Sequence, residues 1–593
     1  MKSLERAALD ATFNCFANCY LKEVDGGKFV WLSNETVDEH YIEWQLLSQQ
    51  VSIRAEVTYI SVCGPHAFGE IQWKQTLSVS ENHFQWCLLD PLLATHMLLK
   101  EAYSRKGGGA TYAQQVELLS GVLDSCQNMM RFAHVSHHAK SENLNFIDAE
   151  QSLIFGHWQH PTPKNQNGFT SKGQELYAPE FHNHFQLDYF IAKRSIVDEM
   201  SSLDRTASQL LVDACQTAFE LDDDECLVPQ HPLQSTILLN RADVQAMIAN
   251  GTLRHVGRGG RFFSATSSMR TLYCEDSDWM LKFSLPIRLT NSVRLNLMEE
   301  LEAGVAMSRL LSKEQILEDG SRLQIIDDPA FLTVKSKGKR ESGFEVIIRR
   351  NPFKRGQEQR IVQIASLTAE PLPGEKSQLH RVIDEIAVRE GVEADVAAKR
   401  WFVAYLSSAF VPLVKLYDRF GIAFEAHQQN CLIDVSRGYP CNAYLRDNQG
   451  YYLSKGYSDL LSRSVPTSIG SLFYNDEVTR DRLSYYLVVN QVFSVINRIG
   501  RDHLCDEREL LYILQVELCE LHRVLKSAGL DFVSHLLNSP TLSSKLNLTT
   551  RLVCVDELEN RESIAFYHDI ANPIATIARE VELPSRRPHA VAS

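Results

Sequence analysis

Thirteen residues, Lys282-Phe283-Ser284-Leu285-Pro286-Ile287-Arg288-Leu289-Thr290-Asn291-Ser292-Val293-Arg294, hold three basic side chains and no acid. Read with the two-residue period of a strand, Phe283, Leu285, Ile287 and Leu289 face one side, and Lys282, Ser284, Arg288 and Thr290 the other. Thr290 or Asn291 can then N-cap a helix that continues through Leu297, Leu301 and Val305. A basic strand face that runs into a helix N-terminus is suited to holding a polyanion. Just upstream, Gly257-Arg258-Gly259-Gly260 and Ala265-Thr266-Ser267-Ser268-Met269-Arg270 add a flexible loop, the hydroxyl of Ser268 and the guanidinium of Arg270. The alternative is a solvated sheet face, and the clustering of these groups argues against it.

A second segment, Glu425-Ala426-His427-Gln428-Gln429-Asn430, precedes the apolar run Cys431-Leu432-Ile433. A turn at Ser436 to Pro440 leads to a second strand that ends Tyr444-Leu445-Arg446-Asp447. An Asn before one strand and an Asp at the end of its hairpin partner can converge on one Mg²⁺, which favours sparse oxygen ligation completed by waters and phosphates. The pattern loosely resembles the metal-binding groups of protein-kinase-like enzymes. A third segment, Gly156-His157-Trp158-Gln159-His160-Pro161-Thr162-Pro163-Lys164, has prolines that forbid a regular helix, so His160 and Lys164 sit on a rigid loop. The His-x-x-His pair lacks a third zinc ligand at useful spacing. No GxxxxGK[ST], strand-linked GxGxxG, GxSxG or HExxH occurs, so P-loop, Rossmann and hydrolase readings fall away.

These segments need a scaffold, and the chain has room for one. Its 593 residues and 67.3 kDa allow three or four domains, with 44% hydrophobic and 23% charged residues, an ordinary globular composition. A formal charge of −14 without a Lys/Arg run argues against nucleic acid and anionic membranes as partners. No apolar stretch reaches the ~20 residues that span a bilayer. The start, Met1-Lys2-Ser3-Leu4-Glu5-Arg6, does not read as a secretory signal, so a cytoplasmic location is expected. The thirteen cysteines show no CxxC and read as reduced, buried thiols. Val51 to Ser61 alternates as a strand, and strand patterns recur at Trp279 to Leu289, Ala330 to Val334 and Glu345 to Arg349. From about Gln378 the chain reads as mainly helical: Asp395 to Arg419, Thr479 to Ile499 with Gly500 at C′, and Asp506 to Ser527 before Gly529. The class is α+β, with a hairpin inserted in a helical C-terminal third.

Taken together, the three segments resemble the siderophore synthetases that act independently of nonribosomal peptide synthetases, the aerobactin-synthetase-like family. His157 to Lys164 matches that family's His/Pro/Lys loop, Thr266 to Leu272 its Ser/Arg loop, Lys282 to Asn296 its basic strand, and Glu425 to Asn430 its Gln-Gln-Asn loop. The order holds from about residue 150 to 575. Trp158 departs from the proline of many members. The resemblance implies a cupped hand: a thumb over residues 1–180, β-rich fingers over 181–390 and a helical palm over 391–593, assembled as a homodimer. It implies an AMP-forming, ATP-dependent ligase that adenylates a carboxylate of citrate, releases pyrophosphate, and passes the acyl group to an amine, hydroxylamine or alcohol. The basic strand is most similar to that of members using free citrate. The residues implied around ATP are His160, Lys164, Ser268, Arg270, Lys282 and Asn291. Those implied around citrate are Thr290, Arg294, His427 and Lys545, and those around Mg²⁺ are Gln429, Asn430, Asp447 and Glu425. Two other readings stay open: a kinase-like small-molecule phosphotransferase that releases ADP, and a protein that binds citrate or a siderophore without consuming ATP.

Overall fold

Alternating apolar residues build the first layer. In the strand Val51–Tyr59, Val51, Ile53, Ala55 and Val57 are buried, as the period of two requires. It lies third in a five-stranded antiparallel sheet with Lys28–Ser33, Asp38–Leu46, Ala67–Gln75 and Cys87–Leu88. Phe16 and Tyr20 of the helix Leu4–Glu23 and Leu98 of the helix Pro91–Lys106 pack on Trp44 and Ile53 of that sheet. The computed structural model describes residues 3–33, 38–76, 85–106, 109–138, 144–289, 292–313, 316–317, 320–446, 450–461, 467–553 and 567–582.

The second layer is an eight-stranded antiparallel sheet. Its order is Val197–Ser201, Ala330–Val334, Val346–Arg350, Trp279–Phe283, Thr271–Tyr273, Leu253–Ala265, His184–Lys193 and Glu225–Gln230. Here the structure departs from the single strand expected over Trp279 to Leu289. The chain breaks at Ser284, and Leu285–Leu289 joins a separate small sheet between Ser292–Arg294 and Gln166–Asn167. Ser284 is fully buried at this junction, donating to Glu345 Oε2 (3.1 Å) and accepting from the Asn296 N–H (2.9 Å). The helix expected to start after Thr290 or Asn291 starts instead at Met298 and runs to Lys313. Leu285 pairs with Arg294 and Leu289 with Ser292, so strand pairing takes the residues that the helical pattern claimed.

The C-terminal third is helical, as expected, around Trp401, Tyr405, Leu413, Val488, Ile496 and Leu514. Two glycines behave differently from the sequence reading. Gly500, expected at a C′ position, lies inside the helix Phe493–Arg501; a Cβ there would stand 2.1 Å from the Tyr59 hydroxyl. Gly529 does not follow a helix end but sits in the next helix, Ala528–Asn538, where a Cβ would meet that of Asp418 at 2.5 Å. Both are glycines because neighbouring atoms approach too closely for any side chain. The Glu507 carboxylate, 3% exposed, accepts from Tyr59, Ser61 and the N–H groups of Val62 and Cys63, which ties the first sheet to the last third of the chain.

His231, whose Nδ1 accepts the Leu233 N–H at the start of the helix Pro232–Leu239, is fully buried between Tyr177 and Phe185. Burial, with nearby Arg258 adding to it, pushes its imidazole down to about 3. The folded chain therefore holds it neutral while the unfolded chain takes up a proton near pH ~6.5. The unfolded state binds more protons between those values, so stability falls as pH drops from 6.5 toward 3. His231→Asn, which keeps a capping acceptor, should reduce that slope by up to ~1.4 kcal/mol per pH unit. Urea denaturation at pH 7, 6 and 5 measures it; an unchanged slope would show that His231 is not held neutral.

Candidate functional site

A cleft of about 510 Å³ lies where the large sheet, the small sheet and the C-terminal helices meet. Eleven of the fourteen residues expected from the sequence line it: His160, Lys164, Ser268, Arg270, Lys282, Arg294, Glu425, His427, Gln429, Asn430 and Lys545. Thr290, Asn291 and Asp447 lie outside the described residues.

The basic wall comes from strand pairing. Lys282, 2% exposed, sits opposite Thr271 on one side and Ile347 on the other. Between Ser268 and Thr271 the chain makes a tight turn with Met269 at φ 65°. The Ser268 hydroxyl accepts the Thr271 N–H (3.2 Å) within that turn. Arg270, 6% exposed, is anchored by donating to Leu295 O (2.9 Å) and Asn296 Oδ1 (3.1 Å). Arg294 reaches the same cleft from the strand Ser292–Arg294 and not from a helix start.

The His/Pro/Lys loop joins this wall because its end, Gln166–Asn167, pairs with Leu285–Leu289. Lys164 is buried and held by an ion pair to Glu180, with Phe132 beneath its ammonium. His160 is buried and its Nδ1 accepts the Thr162 N–H (3.1 Å), which fixes the ring within the loop.

The opposite wall is the turn between Ile422–Phe424 and Cys431–Asp434. Asn430 Nδ2 donates to Glu425 O (3.0 Å) and lies 3.2 Å from His427 Nε2, and Gln429 Nε2 donates to Ser267 Oγ (3.1 Å). Glu425 Oε1 accepts from the hydroxyls of Tyr452 and Tyr486, both at 2.9 Å. Burial and Glu425 itself push both phenols well up, so they stay protonated as donors. With the amide nitrogens so occupied, Gln429 Oε1, Asn430 Oδ1 and Glu425 Oε2 have no hydrogen bond among the described residues. No group of three or more His, Cys, Asp or Glu that could hold a metal occurs among the described residues. This oxygen-only, amide-rich set fits a hard cation that arrives with phosphates and keeps its waters.

Lys545 ends the strand Thr541–Lys545, opposite Tyr567. The N-terminal helix supports it: Lys22 Nζ donates to Lys545 O (3.0 Å), and buried Glu23 accepts the Leu548 and Thr549 N–H groups.

Four contributors were missed by sequence reasoning. Glu150 and Arg446 form an ion pair (2.9 Å) with side chains 0% and 7% exposed. Glu150 Oε2 accepts the Ser267 N–H and hydroxyl, while Arg446 donates to Gln429 O (2.8 Å), so the pair clamps the Ser/Arg loop to the Gln-Gln-Asn loop. Asn490 Oδ1 accepts the Gln428 N–H, and its Nδ2 lies 2.9 Å from His157 Nε2, from a wide-turned helical stretch, Ser484–Val492. Arg482 lines the cleft from the helix Asp476–Leu483. The one signal for Arg446 was its place beside Asp447 at a strand end; the others lie in ordinary helical patterns.

Comparison with known proteins places the chain in a family. Residues 145–369 match the IucA / IucC family. The spermidine-citrate ligase of Bacillus anthracis is 34% identical over 99% of this chain and 100% of its own length. The chain belongs to the IucA/IucC family of siderophore synthetases. Within that family, the N(2)-citryl-N(6)-acetyl-N(6)-hydroxylysine synthase of Vibrio mimicus is 28% identical over 95% of each chain. The fold matches that of the ATP-bound aerobactin synthetase IucA of Klebsiella pneumoniae with a TM-score of 0.86, at 24% identity, over 95% of this chain and 99% of that one. Residues 399–560 also match a model described as a ferric iron reductase FhuF-like transporter. No described helix is long and apolar enough to cross a membrane.

The clamp is testable. Arg446→Met would leave the Glu150 carboxylate buried without its partner, at a cost of about 3–5 kcal/mol. Glu150→Gln combined with Arg446→Met should recover much of that loss, because no uncompensated charge remains. Urea denaturation of the two variants checks this, and equal destabilisation would show that the carboxylate is not what Arg446 neutralises.

Proposed function

We propose that the protein is an ATP-dependent, AMP-forming ligase that joins citrate to an amine in siderophore biosynthesis, working in the cytoplasm as a homodimer. The observation that carries this reading is the convergence of three loops on one cleft with cations on one wall and unpaired oxygens on the other. Among amines, a polyamine is the first to test, because the full-length relative at 34% identity is a spermidine-citrate ligase. A hydroxylamine or an alcohol is the next nucleophile to try.

In this mechanism a citrate carboxylate oxygen attacks the α-phosphorus of ATP, the bond to the bridging oxygen breaks, and pyrophosphate leaves. The amine then attacks the acyl carbon, loses a proton and expels AMP. Ser268, Arg270, Lys282, His160 and Lys164, with Asn291, surround the triphosphate, and the positive charge of Arg270, Lys282 and Lys164 opposes the charge that builds as pyrophosphate departs. Arg294, His427 and Lys545, with Thr290, hold citrate, whose near-trianionic charge calls for several cations. Gln429, Asn430 and Asp447, with Glu425, would hold Mg²⁺, which when bound neutralises phosphate charge. Positioning and electrostatics suffice, and no residue is covalently modified.

ATP turnover should depend on citrate and yield AMP and pyrophosphate in equal amounts, with the amine accelerating release. Coupled assays for pyrophosphate, AMP and ADP decide it; ADP with a phosphorylated product would move the protein to the phosphotransferases.

The two halves of the cleft should also separate. Arg294→Ala should weaken citrate binding by about ten- to a hundred-fold, the worth of a charge-assisted contact, and leave ATP binding without citrate nearly unchanged. Lys282→Ala should do the reverse. Parallel calorimetric titrations would contradict the assignment if the two variants exchanged effects.

A further inference from the structure

The described cations of the cleft differ in what holds them. Arg446 is paired with Glu150, Lys164 with Glu180, and Arg349 with Asp328 at 2.7 Å. Arg482 is not so held. Two residues away on the same helix, Arg480 bonds Asp481 and Asp531, whereas Arg482 makes no hydrogen bond or ion pair with any described residue. Its guanidinium carbon sits over an aromatic shelf instead, 3.8 Å from the Tyr567 ring centroid and 5.9 Å from that of Tyr452. Stacking of this kind fixes the plane of the guanidinium while its N–H edge stays available to an anion.

The shelf also sets where that edge works. Tyr567 is the cross-strand partner of Lys545, and directly opposed residues project from the same face of a sheet. Tyr452 and Tyr486 both donate to Glu425, and the Tyr486 ring lies 6.0 Å from that of His427. Arg482, Lys545 and His427 therefore approach one end of the cleft from a helix, a strand and a loop, over shared tyrosines. A half-buried arginine with five donors and no hydrogen-bond acceptor among the described residues, where Glu425 supplies the one carboxylate charge that acts on it, has its N–H edge open to an anion, and a carboxylate matches its fork.

We infer that Arg482 binds one of the non-reacting carboxylates of the acid substrate, so that it sets the preference for a tricarboxylate over a dicarboxylate. This rests on the proposed reading of the cleft as a citrate site. The free-energy difference arises because a dicarboxylate lacking that group would leave the guanidinium desolvated and unpaired. Lysine at this position would keep the charge but lose both the stacking and the two-point contact.

The test is calorimetric titration of the full chain with citrate, with 3-hydroxyglutarate, which lacks the central carboxylate, and with citramalate, which lacks one terminal carboxylate. Arg482→Met should weaken citrate about ten- to a hundred-fold. It should leave the affinity for one of the two dicarboxylates within about twofold, because that acid never occupied the Arg482 subsite. Arg482→Lys should fall between wild type and Arg482→Met, and it carries the test if the methionine variant does not fold. ATP binding without citrate should be unchanged in both. Equal weakening of all three acids, a loss of ATP affinity, or an unaltered citrate affinity would overturn the inference. If the wild-type protein binds ATP but no citrate, the proposed function falls first and this subsite with it.

Discussion

Taking a carboxylate and a guanidinium out of water costs several kcal/mol each unless they meet in good geometry with their remaining hydrogen bonds satisfied. Glu150 and Arg446 meet across 296 residues of chain, with every hydrogen bond of the carboxylate falling on Oε2 while Oε1 keeps only the ion contact, and the contacts that hold the pair reach across the cleft. The carboxylate must also receive the Ser267 N–H and hydroxyl, and the guanidinium must also donate to Gln429 O. A chain that satisfied only the ion pair would leave these groups orphaned. The Ser/Arg loop and the Gln-Gln-Asn loop are therefore fixed relative to one another by a charge pair, one member of which, Arg446, itself lines the cleft.

The rest of the arrangement follows the same logic of distant strands delivering local chemistry. The loop carrying His160 and Lys164 comes to the basic wall because two of its residues extend the sheet that holds Leu285–Leu289. Lys545 comes to the opposite end because the N-terminal helix anchors the strand that bears it. A chain of net charge −14 thus gathers Lys164, Arg270, Lys282, Arg294, Arg482 and Lys545 around one cavity. Glu180, Glu299, Glu300 and Glu425 line it too, but they are fewer than the cations, so the cleft is net basic in a net-acidic chain.

Much of this was legible in the sequence where chemistry is packed into short runs. Lys282 with Arg294, Glu425 with Asn430, and His160 with Lys164 each announce themselves within a dozen residues, and all line the cleft. The α+β class was legible too, from alternation at Val51–Tyr59 and helical periodicity after Gln378. What misled the reading was continuity. Period-two alternation carries no mark that Ser284 divides two sheets, since a buried serine with two partners looks like a polar surface position. Gly500 and Gly529 looked like caps because sequence cannot show the Tyr59 hydroxyl and the Asp418 side chain that press on them. Glu150 and Arg482 were invisible, and Arg446 showed only its place beside Asp447, for one shared reason. Each is a charged residue in an ordinary element, and its partner, or the lack of one, is decided by tertiary contact.

The central claim is that the cleft activates a citrate carboxylate by attack on the α-phosphorus of ATP. Citrate labelled with ¹⁸O in its carboxylates tests this most directly, with mass spectrometry of the nucleotide and phosphate products. The account predicts one ¹⁸O atom in AMP per turnover and none in pyrophosphate, because the oxygen that bridges acyl carbon and phosphorus leaves with AMP. Label in inorganic phosphate, with ADP as the nucleotide product, would contradict it.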